Sequence, residues 1–360
     1  MIVFDNIVYS LQKSGGISRF WSKITEPYLD TAPFIEREDA TVNLYRQAQQ
    51  IANVLPDHRL FKTLSRYVNF RLDAGGARHV FHSSYYRINR APGAINVTTI
   101  HDLIYERFGG SQLGSRLHIA QKRRSLAAAD CIVCVSEHTR SDLYEYYPLT
   151  RDKRVLVIPN GVDPAPPNGS AQEIGHTARA AAERGAFFLY VGHRGSCKGF
   201  DRVYQALKLC DANLRCVVVG DALQKHEQEE IAAAGLTDRV LAVGRVSDSD
   251  LAFLYSHAEF FFFPSLYEGF GIPPLEAMQL GCPVLASNRS SVPEVVGEAG
   301  VLFDPEDAAS LEAGLARIRA PELRAGFIDA GHQRAAALSW QSAAAQYRDL
   351  YSELLAEKAG

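Results

Sequence analysis

Short apolar runs rich in β-branched and aromatic residues recur along this chain in two series, parted by one proline-rich stretch. The first series occupies residues 2–4, 80–82, 96–100, 131–135 and 154–158. The second occupies residues 187–191, 215–219, 240–243, 260–263, 283–286 and 301–303. Segments of helical period separate the runs, which predicts an α/β chain of parallel strands with crossover helices, wound twice into Rossmann-like sheets. Between the series, Asn160-Gly161 supplies a turn dipeptide, and Asp163-Pro164-Ala165-Pro166-Pro167-Asn168-Gly169-Ser170 reads as a linker belonging to neither sheet. The expected division is therefore an N-terminal domain over 1–165, a C-terminal domain over 166–338, and a tail over 339–360. In that tail Trp340, Tyr347, Leu350, Tyr351 and Leu354 fall at helical spacing, so a last helix should dock on one of the two domains.

The 360 residues, 47% of them hydrophobic, suffice for two cores. No eighteen apolar residues run together and the first residues lack a signal-peptide pattern, so a cytoplasmic protein is expected. Cys131 and Cys134 sit inside a strand-like run without a second pair at zinc spacing, and are read as buried thiols. The net charge of -3 conceals an asymmetry: residues 1–165 hold 21 Lys and Arg against 16 Asp and Glu, and the remainder 17 against 25. Arg59, Lys62, Arg66, Arg71, Arg78, Arg87 and Arg90 carry much of the basic excess. They suit an anionic lipid or acidic acceptor, or simply a solvated face, and their scatter argues against nucleic acid.

Ligands of doubly wound sheets sit beyond the carboxyl ends of the strands, and each candidate motif falls in such a loop. Glu268-Gly269-Phe270-Gly271-Ile272-Pro273-Pro274-Leu275-Glu276 follows the all-apolar run at 260–263 and leads into a helix starting near Pro273. Glu276, expected in the first helical turn, could accept both hydroxyls of a ribose or merely complement the helix dipole. Glu268 precedes two glycines that let backbone amides approach a sugar. Gly192-His193-Arg194-Gly195-Ser196-Cys197-Lys198 lies between a strand and a helix, where Arg194 and Lys198 could face a diphosphate and stabilise charge on a departing phosphate, a task otherwise given to a metal. It is neither a dinucleotide fingerprint nor a Walker loop.

In the first half, Gly15 and Gly16 would let backbone approach a phosphate or sugar, and His101-Asp102 ends a strand, where His101 could bond a sugar with Asp102 orienting it, or could equally be structural. His82 is a weaker candidate for acceptor contact. Asp248-Ser249-Asp250 looks like a metal-binding D-x-D but is better explained as helix capping, as is Ser136.

Taken together, the Glu268 to Glu276 string, the 192–198 loop, Gly15-Gly16, His101-Asp102, Val135-Ser136 and Pro159-Asn160-Gly161-Val162-Asp163 resemble the motifs of retaining glycosyltransferases of family 4. The resemblance spans nearly the whole chain. It implies the GT-B fold, two Rossmann-like domains facing across a cleft, with acceptor binding in the first and nucleotide-sugar binding in the second. It further implies Glu276 on the ribose, Arg194 and Lys198 on the diphosphate, Glu268 with the Gly269, Phe270 and Gly271 backbone on the sugar, and His101 near its hydroxymethyl carbon. Cofactors are expected to be absent, metal included, the donor being a GDP- or UDP-sugar. The expected acceptor is a glycan or lipid-linked glycan, with peripheral contact at the inner membrane face. The opening residues and the 192–198 loop look most like bacterial O-antigen mannosyl-type transferases. Two competing readings are a sugar-nucleotide epimerase on the same architecture and a catalytically silent carbohydrate-binding scaffold.

Overall fold

A computed structural model describes residues 1–58, 65–72, 75–109, 113–163 and 174–357. Arg59, Lys62 and residues 164–170 of the expected linker lie outside them. The chain divides into two compact units, Met1–Gly161 with Trp340–Gly360, and Val162–Ser339.

Unit 1 is built on a seven-stranded parallel sheet: β1 (Ile2–Asp5), β2 (Phe34–Glu36), β3 (Val54–Pro56), β4 (His79–Ser83), β5 (Ala94–Ile100), β6 (Cys131–Cys134) and β7 (Arg154–Val157). Their spatial order is β3-β2-β1-β4-β5-β6-β7. Five of these match the apolar runs of the sequence. The two others, β2 and β3, are only three residues long; β2 pairs with both β1 and β3, and β3 lies at the edge and ends in Pro56, which an edge position tolerates because no ladder donor is needed there. The central strands are buried on both faces, as near-continuous apolar runs require. Cys131 and Cys134 are buried free thiols, burial pushing each up to about 12.

The last helix, Trp340–Ala356, packs on this unit, which fixes where the tail belongs. Tyr347 and Tyr351 are fully buried. The Tyr351 hydroxyl lies 2.6 Å from His82 Nδ1, and the Tyr347 hydroxyl 3.1 Å from Thr99 Oγ1. The Phe4, Trp21, Phe34 and Tyr351 rings pack edge-on or stacked around one another. Aromatic burial of this kind contributes about 1.5–3 kcal/mol per side chain.

Unit 2 holds β8 (Phe187–Val191), β9 (Arg215–Val219), β10 (Val240–Gly244), β11 (Phe261–Phe263), β12 (Val284–Ser287) and β13 (Val301–Phe303), all parallel, in the order β10-β9-β8-β11-β12-β13. Its core stacks Phe188 on Phe260 and Phe262 on Phe303, at 5.1 and 5.5 Å between ring centres. At its boundary Val162 donates to the Leu338 carbonyl at 2.9 Å and bridges to Ser339. In both sheets the strand order reverses once, between β1 and β4 in unit 1 and between β8 and β11 in unit 2. That reversal opens a crevice at the carboxyl edge. The loops after β8 and β11 carry the motifs of the second half.

Candidate functional site

The crevice of unit 2 is assembled from these two loops. After β8 the chain makes a single tight turn at Ser196–Lys198 and passes through Gly199 with φ of +63°. A Cβ on Gly199 would fall 2.2 Å from the Pro264 carbonyl oxygen, so only glycine fits. The Leu266 N–H donates to the Cys197 carbonyl at 2.7 Å, which ties the loop after β11 to the loop after β8. This clamp brings Lys198 Nζ to 2.7 Å from Glu268 Oε1. Both side chains retain some exposure, so the pair faces the crevice edge.

The Glu268 segment is held from behind. Its N–H donates to Ser290 Oγ at 2.8 Å, while the Ser291 hydroxyl is set against the carbonyls of Glu268 and Phe270 at 2.9 and 2.8 Å. Ser290 adopts φ of +51°, a strained conformation for a residue with a side chain, of the sort that clusters at functional sites. Gly271, at φ of +105°, caps the helix Ile272–Gln279, and Phe270 is buried. Gly269 stands half-buried between them. Glu276 is the fifth residue of that helix, in its second turn instead of its first. The helix begins ahead of Pro273 because Gly271 can take the left-handed cap. A half-buried Glu276 carboxylate is therefore placed by helix periodicity, with the helix dipole a lesser influence so far from the terminus.

Arg194 departs from the expectation that it faces a diphosphate. Its guanidinium folds inward: Nε donates to Glu227 Oε1 at 2.8 Å, Nη2 donates to the Ala222 carbonyl at 2.7 Å, and the group lies over the Phe200 ring. Glu227 draws it in. That carboxylate is buried, accepts the Gln224 N–H at 2.7 Å as part of a capping box on the Lys225–Ala233 helix, and needs a cation to offset its desolvation. Nη1 of Arg194 is buried without a hydrogen-bond partner. The neighbouring His193 is exposed, with Nδ1 at 3.1 Å from Asp221. Sequence reasoning missed Glu227, although the Gln224 to Glu227 spacing is a capping-box signal, and missed Ser290 and Ser291, which no short motif marks.

In unit 1, Gly15 is the residue ahead of the Gly16–Thr25 helix, and a Cβ on Gly16 would meet nothing within 4 Å. His101 sets its ring edge-on to Phe20 at 4.7 Å. Burial, and secondarily the charge of Lys122, lower its pKa to about 3, so the imidazole is neutral near pH 7. It can bond a ligand hydroxyl but does not supply positive charge. No bond from Asp102 to it is seen among the described residues: Asp102 Oδ1 accepts the Ile104 N–H at 3.2 Å, where the Ile104–Phe108 helix begins. His82 also differs from its expected acceptor role, since it is wholly buried with Nδ1 on Tyr351 and Nε2 on Thr99. Ser136 is a cap as expected, its Oγ accepting the Thr139 N–H at 3.0 Å. In the Asp248 to Asp250 stretch the cap is Ser247, one residue earlier, and Asp250 Oδ1 accepts the Gly175 N–H at 2.6 Å.

Comparison with known proteins places this arrangement. The model of the glycosyl transferases group 1 matches residues 172–334, and that of glycosyltransferase family 4 matches residues 30–166. The chain is a glycosyltransferase, its first part matching family 4 and its second part group 1. This glycosyltransferase is 28% identical over 287 residues to the O-antigen chain mannosyltransferase B of Escherichia coli, an alignment covering 77% of it and 74% of that relative. It is 30% identical over 247 residues to a serotype-specific mannosyltransferase, WbdA, of the same species, covering 64% of this chain and 30% of WbdA. It thus spans under a third of that second relative. The Anabaena protein HepE, solved in complex with UDP and glucose, superposes with a TM-score of 0.74 at 18% identity over 98% of this chain and 99% of its own. The fold is accordingly GT-B. Among the described residues no helix is long and apolar enough to cross a membrane.

Proposed function

We propose that this glycosyltransferase moves a mannose-type sugar from a nucleoside diphosphate donor, GDP-linked in the first instance, onto a glycan or lipid-linked glycan of a surface polysaccharide. It does so with retention at the anomeric carbon and without a metal. The names of its mannosyltransferase relatives support the sugar and the acceptor class. The observation that carries the chemistry is the Lys198 to Glu268 pair at 2.7 Å, a cation and a carboxylate at the lip of a crevice between loops that a glycine clamp holds together.

In this reading Lys198 leaves Glu268 for the diphosphate when the donor binds, and Glu268 turns to the sugar hydroxyls. Lys198 then stabilises the charge that grows on the β-phosphate as its bond to the anomeric carbon breaks. The acceptor oxygen forms its bond on the same face and passes its proton to the departing phosphate, so no side-chain base is required. Glu276 holds the ribose, the Gly269, Phe270 and Gly271 backbone approaches the sugar, and neutral His101 bonds its hydroxymethyl group. Gly15 and Gly16, at the start of their helix, are assigned to backbone contact with the diphosphate. Arg194 acts from behind, fixing Glu227 and the 192–199 loop.

Thermal shift with UDP, GDP, ADP and their sugar conjugates, with EDTA throughout, tests the donor site, because a ligand that binds only the folded protein raises its melting temperature. A rise with one nucleotide that Lys198→Ala abolishes is the expected result. Stabilisation that appears only when a divalent cation replaces the EDTA, or none with any nucleotide, overturns the proposal.

A further inference from the structure

Unit 1 holds a cluster that the chemistry above leaves unused. It lies just beyond the carboxyl ends of β4 and β5, where doubly wound sheets take ligands. Tyr85 and Tyr86 follow β4, Tyr105 follows β5, and His118 faces them from the Leu113–Ala128 helix. The His118 ring stands 4.4 Å from that of Tyr105 and 5.6 Å from that of Tyr85. Arg66 sets its guanidinium 4.4 Å over the Tyr85 ring and its Nη2 3.3 Å from His118 Nδ1.

What distinguishes Arg66 is its charge balance. The buried cations nearby are neutralised, Arg87 by Asp5 and Asp57, and Lys122 by Glu106 at 2.9 Å. Arg66 contacts two tyrosine rings and a histidine nitrogen, with no carboxylate among the described residues. Its Nε–H is buried without an acceptor, and beside it Gln121, whose amide donates to the Arg66 carbonyl, leaves Oε1 buried without a donor. Tyr105 is 40% exposed, an open ring at the rim of this charge. A guanidinium fork takes carboxylate or phosphate oxygens in paired bonds, and an open aromatic face accepts the C–H side of a sugar.

We infer that Arg66, Tyr85 and Tyr105 form an acceptor subsite for a saccharide bearing an anionic group, a phosphate or a uronate carboxylate. This rests on the transferase reading and adds to it where the acceptor lies and what charge it carries. Gln121 and His118 position Arg66.

Full-length protein carrying Lys198→Ala, which silences the donor loop, is titrated by calorimetry and saturation-transfer NMR with mannose 6-phosphate, methyl glucuronoside and methyl mannoside. At least one anionic sugar should bind about tenfold tighter than the neutral one, as a charge-assisted pair would give. The tighter of the two anions names the source of the charge. Arg66→Gln should erase the preference and Arg66→Lys keep part of it. Equal binding of all three sugars overturns the inference, as does a preference that survives Arg66→Gln. Should Arg66→Gln fail to fold, Tyr105→Ala, on the surface, must weaken all three sugars, and unchanged binding overturns the inference as well. If nucleotides fail to bind the unmodified protein, the transferase reading falls by that separate measurement, whatever the sugars do.

Discussion

Lys198 Nζ and Glu268 Oε1 lie 2.7 Å apart although 70 residues separate them in sequence. Two loops at one strand-order reversal make that meeting, and the Leu266 to Cys197 backbone bond sets its spacing. Each group offsets the other's charge, and in the proposed function a phosphate competes for the cation.

Removing either partner should therefore have unequal effects. Lys198→Ala should lower kcat by about 10²- to 10³-fold, the scale of losing one fixed charge at a developing anion. Glu268→Gln should lower kcat while leaving nucleotide affinity within about threefold, because the freed lysine still meets the diphosphate. Steady-state kinetics beside nucleotide titration checks this, and equal loss of nucleotide affinity in both variants would contradict it.

Gly199 should not tolerate a side chain. Gly199→Ala puts a Cβ against the Pro264 carbonyl in a left-handed conformation, so the two loops must part. A stability loss of about 1–3 kcal/mol by denaturant titration, together with weakened donor binding, is expected.

Arg194 and Glu227 should behave as a buried pair. Arg194→Ala leaves the Glu227 carboxylate inside without its cation, at a cost of about 3–5 kcal/mol. Arg194→Met with Glu227→Gln should recover most of that loss. A double-mutant cycle showing independent effects would instead free Arg194 for a direct role on the phosphate.

Acid should destabilise unit 1 through its buried imidazoles. Burial lowers the pKa of His82, His101 and His118 to about 3 each, below the ordinary 6.5. In the unfolded chain they take up protons below about pH 6.5, whereas the folded protein does not until about pH 3. Stability is then full above about pH 6.5 and falls as pH drops towards 3, by up to about 1.4 kcal/mol per pH unit for each such group. Comparing His82→Gln with the unmodified protein between pH 7 and 4 should show a shallower fall for the variant, and parallel curves would exclude His82 as a contributor.

The strands were largely legible because parallel sheets bury both faces, so each central strand is an unbroken apolar run set between helical segments. The Glu268 to Glu276 and 192–198 strings stood out because they hold glycines, of which Gly192 and Gly271 take positive φ angles that favour glycine. Strands β2 and β3 were not legible, being only three residues long, too short for an apolar run to stand out.

Sequence alone determined the two-sheet architecture and the loops that hold the candidate motifs, since periodicity and glycine spacing are local properties, while kinship to glycosyltransferases came from the resemblance those motifs carry. Tertiary structure decided which charges point where. Arg194 looked like a phosphate ligand until Glu227, 33 residues on, drew it inward. His82 looked like an acceptor contact until Tyr351, 269 residues away, took its ring nitrogen. A side chain's partner is set by distance in space and by the cost of leaving a buried charge or donor unmet, and neither is written in the order of the residues.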